Sequence, residues 1–261
     1  MLAFAVSGTG PPLLLVHAGI ADSRMWRPQL PALTPHFTVV TCDLRGYGVS
    51  PPPEEPFAHH EDLREVLEHL GIRSTHLLGL SMGASVAMDF TLMFPEMVDQ
   101  LVLCAALGPP PFSETLVEGF TRAEAVYLAD GLEALNEVEM QIWVDGPHRS
   151  PDQVDPEIRG LVARMNLPLL ASEEQGTIAP ASLEPPAHTR LGEISAPTLV
   201  IAGDIDQPDV LDYAYRLSAG IPDARLEVIP GVAHMINLEA PDQFNELVLD
   251  FLIGQPEGID R

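Results

Sequence analysis

Not one lysine occurs among the 261 residues: the 13 basic side chains are all arginine, set against 38 Asp and Glu. The formal net charge is −25, and so acidic a chain is repelled by phosphate backbones and by anionic lipid surfaces. That excludes nucleic acid and membrane as partners. Cysteine is scarce too, with Cys42 and Cys104 the only two. They end separate apolar runs far apart in the chain, which predicts buried reduced thiols rather than a disulfide or a metal pair. No apolar run reaches the roughly 20 residues of a bilayer span. The N-terminus, "MLAFAVSGTGPPLLLV", has no basic stretch ahead of its apolar residues, so no secretory leader is expected and the chain reads as cytoplasmic. There is no His-Glu-x-x-His, cysteine cluster or P-loop, so neither a metal nor any other cofactor is implied.

What is present is an ordinary globular composition, 46% hydrophobic and 20% charged, in a chain long enough to bury a full core. Short β-rich runs alternate with helical patterns over the first hundred residues. "AFAV" and "LLLVHA" flank "SGTGPP", which predicts a β-hairpin loop. A helix is expected around Met25–Leu33, then the strand "FTVVTCD". In "HHEDLREVLEHLG" the residues Leu63, Val66, Leu67 and Leu70 share one helical face, and Gly71 stops the helix. "THLLGL" reads as a strand, "GASVAMDFTLMF" as a helix ending before Pro95, and "VDQLVLCAAL" as a strand. The rhythm returns with the strands "APTLVIAG" and "ARLEVIPG" and with helical patterns at Val210–Ser218 and Asp242–Leu252. Near-continuous apolar strands separated by helices mean an α/β fold with a mostly parallel sheet covered on both faces. Residues 108–190 break the rhythm with helical patches and no strand run. They are read as a helical cap inserted into a core formed by 1–107 and 191–261.

The run "HLLGLSMGASVAMDF", His76–Phe90, raises the question of function. Ser81 stands between a strand and a helix with a glycine two places away on each side. Gly79 and Gly83 remove the side chains that would keep strand and helix apart, so Ser81 can take a strained backbone with its hydroxyl exposed. The N–H of Met82 then opens the helix and points where a developing oxyanion would sit. A serine hydroxyl needs a base, and the base an orienting acid. Downstream, "TLVIAGDIDQPD" puts Asp204, Asp206 and Asp209 just past a strand end. "LEVIPGVAHMINLEAP" puts His234 just past the next one, at the sheet edge where ligands bind in open α/β sheets.

With these residues in place, the chain resembles the α/β-hydrolases over nearly its whole length outside the cap. The resemblance is carried by "LLLVHAG", "MWRPQLPAL", "DLRGYGVS", "GLSMGA", "VIAGDID" and "GVAHMINLEAPDQFNELVLDFL", in the chain order Ser, Asp, His that this fold uses. It implies Ser81 as nucleophile, His234 as general base and acid, and Asp206 as the orienting acid, with Asp204 as the alternative. The second oxyanion donor would be the N–H of Gly19 in "HAG", where Ala18 replaces the usual glycine. His17 is expected to brace the structure, as are Asp43 and Arg45 around their loop. Epoxide hydrolases and haloalkane dehalogenases of the fold share "DLRGYGVS" but carry Asp at the turn, so Ser81 implies acyl transfer to water.

The resemblance is to the enol-lactone hydrolases of aromatic catabolism and their esterase relatives. It implies a cofactor-independent serine hydrolase cleaving a small carboxylic ester or lactone through an acyl-enzyme. Cofactor-free perhydrolase or haloperoxidase activity, and small-molecule signalling on the same fold, are the alternatives. Within the cap, Trp143 and His148 are the residues expected toward substrate. Arg122, Arg149, Arg159, Arg164 and Arg190 are the cations on offer to an anionic one. His59, His60, His69 and His76 read as surface.

Overall fold

The computed structural model describes residues 1–254. Its strands are β1 (Ala3–Ser7), β2 (Pro12–Val16), β3 (Thr38–Asp43), β4 (Thr75–Leu80), β5 (Val98–Cys104), β6 (Thr198–Gly203) and β7 (Ala224–Ile229). They form one sheet in the order β1-β3-β2-β4-β5-β6-β7. Only the β1–β3 pair is antiparallel.

Successive residues of a strand face opposite sides of a sheet, and here both sides are buried. Leu13 and Leu15, Leu78 and Leu80, Val102 and Cys104, Leu199 and Ile201 enter one core. Leu14 and Val16, Leu77, Leu101 and Leu103, Val200 and Ala202 enter the other. The first core is closed by Trp26 and by Phe244, Val248 and Leu252 of helix α9 (Pro241–Ile253). The second is closed by α2 (His59–His69), α3 (Met82–Met93) and α7 (Pro208–Gly220). The short helices α1 (Leu30–Leu33) and α8 (Ile236–Glu239) complete the body. Cys42 and Cys104 are free and buried within it, and burial pushes the Cys42 thiol up to about 12.

Two local expectations fail. "SGTGPP" does not close a hairpin: β3 lies between β1 and β2, pairing Phe4 with Cys42 on one edge and Leu14 with Val40 on the other. The glycines let the connection cross the entry to β3. A Cβ on Gly8 (φ +81°) would come within 2.3 Å of the Phe37 carbonyl oxygen, and one on Gly10 (φ +128°) within 2.2 Å of that of His36. The helix expected around Met25–Leu33 is a 3₁₀ turn, Ser23–Trp26, followed by α1. Pro28 has no N–H to donate, so the helical ladder is interrupted there and the segment splits.

Between β5 and β6 lie α4 (Glu114–Asp130), α5 (Leu132–Met140) and α6 (Pro156–Glu174). Leu116, Ala123, Val138 and Ile142 form a small core of their own there. Ser113 caps α4 by accepting from the Leu116 N–H, while its own N–H and hydroxyl donate to Asp209 at the start of α7. Gly131, at φ +83°, turns α4 into α5. No described helix is long and apolar enough to cross a membrane.

Candidate active site

The turn between β4 and α3 is as tight as its glycines imply. Ser81 sits at φ +59°, ψ −119°, a region that L-residues with a Cβ enter only under strain. A Cβ on Gly79 would lie 2.1 Å from the Gly83 carbonyl oxygen, and one on Gly83 2.3 Å from that of Val16. Both obstacles are backbone and neither can swing aside. The Ser81 N–H donates to Cys104 O on β5 at 2.8 Å, which pins the turn to the sheet.

Ser81, His234 and Asp206 form one hydrogen-bonded line across three loops. Ser81 Oγ is 2.8 Å from His234 Nε2, and His234 Nδ1 is 2.8 Å from Asp206 Oδ2. The imidazole and the Asp206 carboxylate are almost wholly buried. The other Asp206 oxygen accepts the Gln207 N–H at 2.7 Å. Asp204 is engaged elsewhere: it is exposed and accepts the Gly231 N–H at 2.6 Å. Asp209 holds the cap root through Ser113. Of the three carboxylates in "DIDQPD", only Asp206 meets the histidine. Such a line can pass a hydroxyl proton to the imidazole while the carboxylate fixes the ring's tautomer.

Ser81 and His234 open on a cavity of about 340 Å³, shared with Gly19, Ile20, Met82, Ser85, Leu107 and Trp143. Among the described residues, neither the Gly19 nor the Met82 N–H has an acceptor. Two free donors beside the serine match what a developing oxyanion requires. The side chain of Met82 packs under Gly19, where a Cβ would be 3.4 Å from Met82 Cβ, and its sulfur accepts from the Tyr47 hydroxyl at 3.3 Å.

His17 is fully buried away from this line. Its Nε2 accepts the Leu44 N–H at 2.9 Å, its ring lies 4.9 Å from that of Tyr47, and burial lowers its pKa. Asp43 accepts the N–H groups of Ser23 and Val49, and Arg45 pairs with Asp62. Among the described residues no three His, Cys, Asp or Glu side chains converge as a metal ion would need.

The segment between β5 and β6 supplies Trp143 on a π-helical turn, Gln141–Asp145, with its indole 4.7 Å from the His234 ring. That turn is held from below by both loops of the line. Gln207, next to Asp206, donates to the Ile142 carbonyl at 2.8 Å. Arg149 donates to the carbonyls of Val144 and Asp145 and pairs with Glu239, whose second oxygen accepts the N–H of Ala233, next to His234. Arg149 is thus a structural clamp rather than a free cation.

His148 does not fulfil its expectation of substrate contact: it is exposed and absent from the cavity lining, because Gly146 and Pro147 turn the chain outward after the π turn. The surface reading of His59 and His60 also fails, since both are buried, His59 against Phe57 and His60 against Phe94. His76 is half-buried against Phe37, and His69 alone of the four is exposed. Ile20, Ser85 and Leu107 were not singled out from sequence. Ser85 alone carried a signal, lying one helical turn after Ser81.

The family model for the alpha/beta hydrolase fold matches residues 11–241. The chain belongs to that family. It is similar to a 2-hydroxy-6-oxononadienedioate/2-hydroxy-6-oxononatrienedioate hydrolase of Cupriavidus pinatubonensis, 30% identical over 85% of this chain and 78% of the relative. A thermophilic esterase from Thermogutta terrifontis is 28% identical, with TM-score 0.76, over 97% of this chain and 93% of its own. Est816, described as an N-acyl homoserine lactone degrading enzyme, is 25% identical, with TM-score 0.76, over 96% of both chains. The activity class is hydrolase.

Proposed function

We propose that this hydrolase cleaves a small carboxylic ester or lactone that carries no negative charge, using Ser81 as nucleophile. The observation that carries the reading is the character of the Ser81 cavity. Its wall beyond the hydrogen-bonded line is Ile20, Met82, Leu107 and Trp143, with Ser85 the one further polar side chain. Among the described residues no arginine lines it. Arg149 and Arg159 are bound to Glu239 and to Glu137 and Asp145, Arg190 pairs with Glu193, and Arg122 lines a different cavity. An anionic substrate such as the dioates in the name of the Cupriavidus relative would find no counter-charge, in a protein of net charge −25.

In the proposed reaction the Ser81 hydroxyl passes its proton to His234 Nε2 as Oγ bonds to the substrate carbonyl carbon. The N–H groups of Gly19 and Met82 hold the resulting oxyanion. Collapse expels the alkoxide, which takes the proton from His234, and leaves an acyl-Ser81. His234 then removes a proton from water, the hydroxide oxygen attacks the acyl carbon, and the carboxylic acid departs as Ser81 regains its proton. Asp206 accepts from Nδ1–H throughout and offsets the charge on the imidazolium.

The test is fluorophosphonate labelling of the purified protein, mapped by peptide mass spectrometry beside Ser81→Ala, followed by turnover of short neutral aryl esters, neutral lactones and an anionic oxo-dienoate. Labelling confined to Ser81 with turnover of the neutral compounds is expected. Preference for the oxo-dienoate, or ligand binding without turnover of any compound, would overturn the reading.

A further inference from the structure

Helix α3 runs away from Ser81 with almost every side chain buried. Its half-exposed positions are Met82, Ser85, Asp89 and Leu92, spaced three and four apart on one face, before Met93 at the frayed end. Met82 and Ser85 line the Ser81 cavity. Ser85 and Leu107 also line a second groove of about 240 Å³, whose wall includes Met88, Asp89, Ala187 and Tyr213. The two spaces share Ser85 and Leu107 in their walls, which sets the groove beside the Ser81 cavity along α3. From Ser81 to Asp89 is eight residues of helix, about 12 Å at 1.5 Å per residue.

Asp89 has no structural partner that would explain it. Among the described residues it takes part in no side-chain hydrogen bond and no ion pair. Burial pushes its carboxyl up, with His60 the one neighbour pulling the other way. Arg216 lies over the Tyr213 ring, but it is not part of the groove wall, where His188 is the only basic side chain among the described residues. A carboxylate kept half out of water with no ion-pair partner among the described residues, on an otherwise uncharged helix, destabilises the fold. Asp62, Asp145 and Asp22 are at least as deeply set, and each is matched to an arginine.

We infer that the groove is an extension of the substrate site, and that Asp89 receives an ammonium or other cationic group borne on a chain that spans most of the about 12 Å between Ser81 and Asp89. The substrate class is then an ester or lactone with a cationic tail. This rests on the ester-hydrolase reading above and refines it. The net charge of −25 favours the approach of such a substrate and disfavours its anionic counterpart.

The experiment compares matched aryl esters, 4-nitrophenyl 6-(trimethylammonio)hexanoate and its uncharged carbon analogue 4-nitrophenyl 7,7-dimethyloctanoate. A second pair carries the same two groups on the alcohol side. Wild type is expected to favour the cationic member of one pair by about tenfold in kcat/KM, the ratio that one modest charge contact produces. Asp89→Asn should bring that ratio close to one, chiefly by lowering kcat/KM for the cationic ester, and Asp89→Glu should restore most of it. Thermal melts of both variants check that they fold. A ratio near one in wild type for both pairs, or one unaffected by Asp89→Asn, would overturn the cationic subsite while leaving the hydrolase reading standing. Absence of turnover of all four esters, with Ser81 inert to fluorophosphonate, would instead remove the hydrolase reading and this inference with it.

Discussion

The indole of Trp143 lies against the imidazole of His234, ring centroids 4.7 Å apart and planes inclined by 42°. Phe120 of α4 backs the indole at 6.2 Å and Phe112 backs Phe120 at 5.8 Å, so an aromatic chain leads from the cap to the proposed base. An aromatic face beside a ring that becomes cationic stabilises the cation by about 1 kcal/mol, more where water is excluded. Trp143→Ala should therefore lower kcat about tenfold on a neutral ester, whereas Trp143→Phe should keep most of it. Steady-state kcat and KM of the two variants check this. An Ala variant with undiminished kcat would leave Trp143 as cap packing only.

The clamp beneath that turn makes a separate prediction. Arg149 and Glu239 pair at 2.5 Å with side chains only 14% and 7% exposed. Breaking a buried pair by removing one partner leaves a stranded charge and costs about 3 kcal/mol. Arg149→Met should cost about that much and lower kcat more than it raises KM, because the π turn and the Ala233–His234 loop lose their common anchor. Pairing it with Glu239→Met should recover part of the stability. Urea denaturation of the two single variants and the double variant measures the coupling; simple additivity would show that the pair does not act as a unit.

Strain at Ser81 predicts opposite effects on stability and turnover. Positive φ costs a residue with a Cβ about 1 kcal/mol and glycine almost nothing. Ser81→Gly and Ser81→Ala should both lose at least about 10³-fold in kcat. Only the Gly variant should melt a few degrees higher, by roughly the 2–4 °C that 1 kcal/mol yields in a chain of this size. Calorimetry decides the matter: coincident melting of the two variants would mean the turn stores no strain.

The buried His59 carries an acid sensitivity. Burial lowers its pKa from 6.5 to about 4, and its Nδ1 has no partner. Above pH 6.5 the ring is neutral in both the folded and unfolded states and stability does not depend on it. As pH falls from 6.5 towards 4 the unfolded chain binds a proton that the folded one refuses, and stability drops by up to about 3 kcal/mol. His17, lowered in the same direction, adds to the slope. Urea midpoints from pH 7 to 4.5 should fall less steeply for His59→Phe than for wild type. Parallel curves would show that the folded chain protonates His59 as readily as the unfolded one.

Much of the site was legible in one dimension because its chemistry is tied to strand ends. Gly79, Ser81 and Gly83 announce a turn that only missing Cβ atoms permit, and Asp206 and His234 follow strands whose apolar runs are unmistakable. The choice of Asp206 over Asp204 came from resemblance, and its geometric reason is three-dimensional: Asp204 bends to the Gly231 N–H. His148 and Arg149 looked alike as polar cap residues. One faces solvent and the other is locked to Glu239, a difference set by a glycine–proline turn and by a partner 90 residues away.

The sequence by itself determined the alternation of strand and helix, the sharp turn at Ser81 and the strongly acidic net charge, since periodicity, missing side chains and net charge are local or additive properties. Tertiary structure decided the rest. It placed β3 between β1 and β2, buried His59 and His60, and set Trp143 on His234. It also set the groove at Asp89 beside the Ser81 cavity. Each of these depends on which distant backbone or side chain arrives opposite a given residue, and no window of sequence contains both members of such a pair.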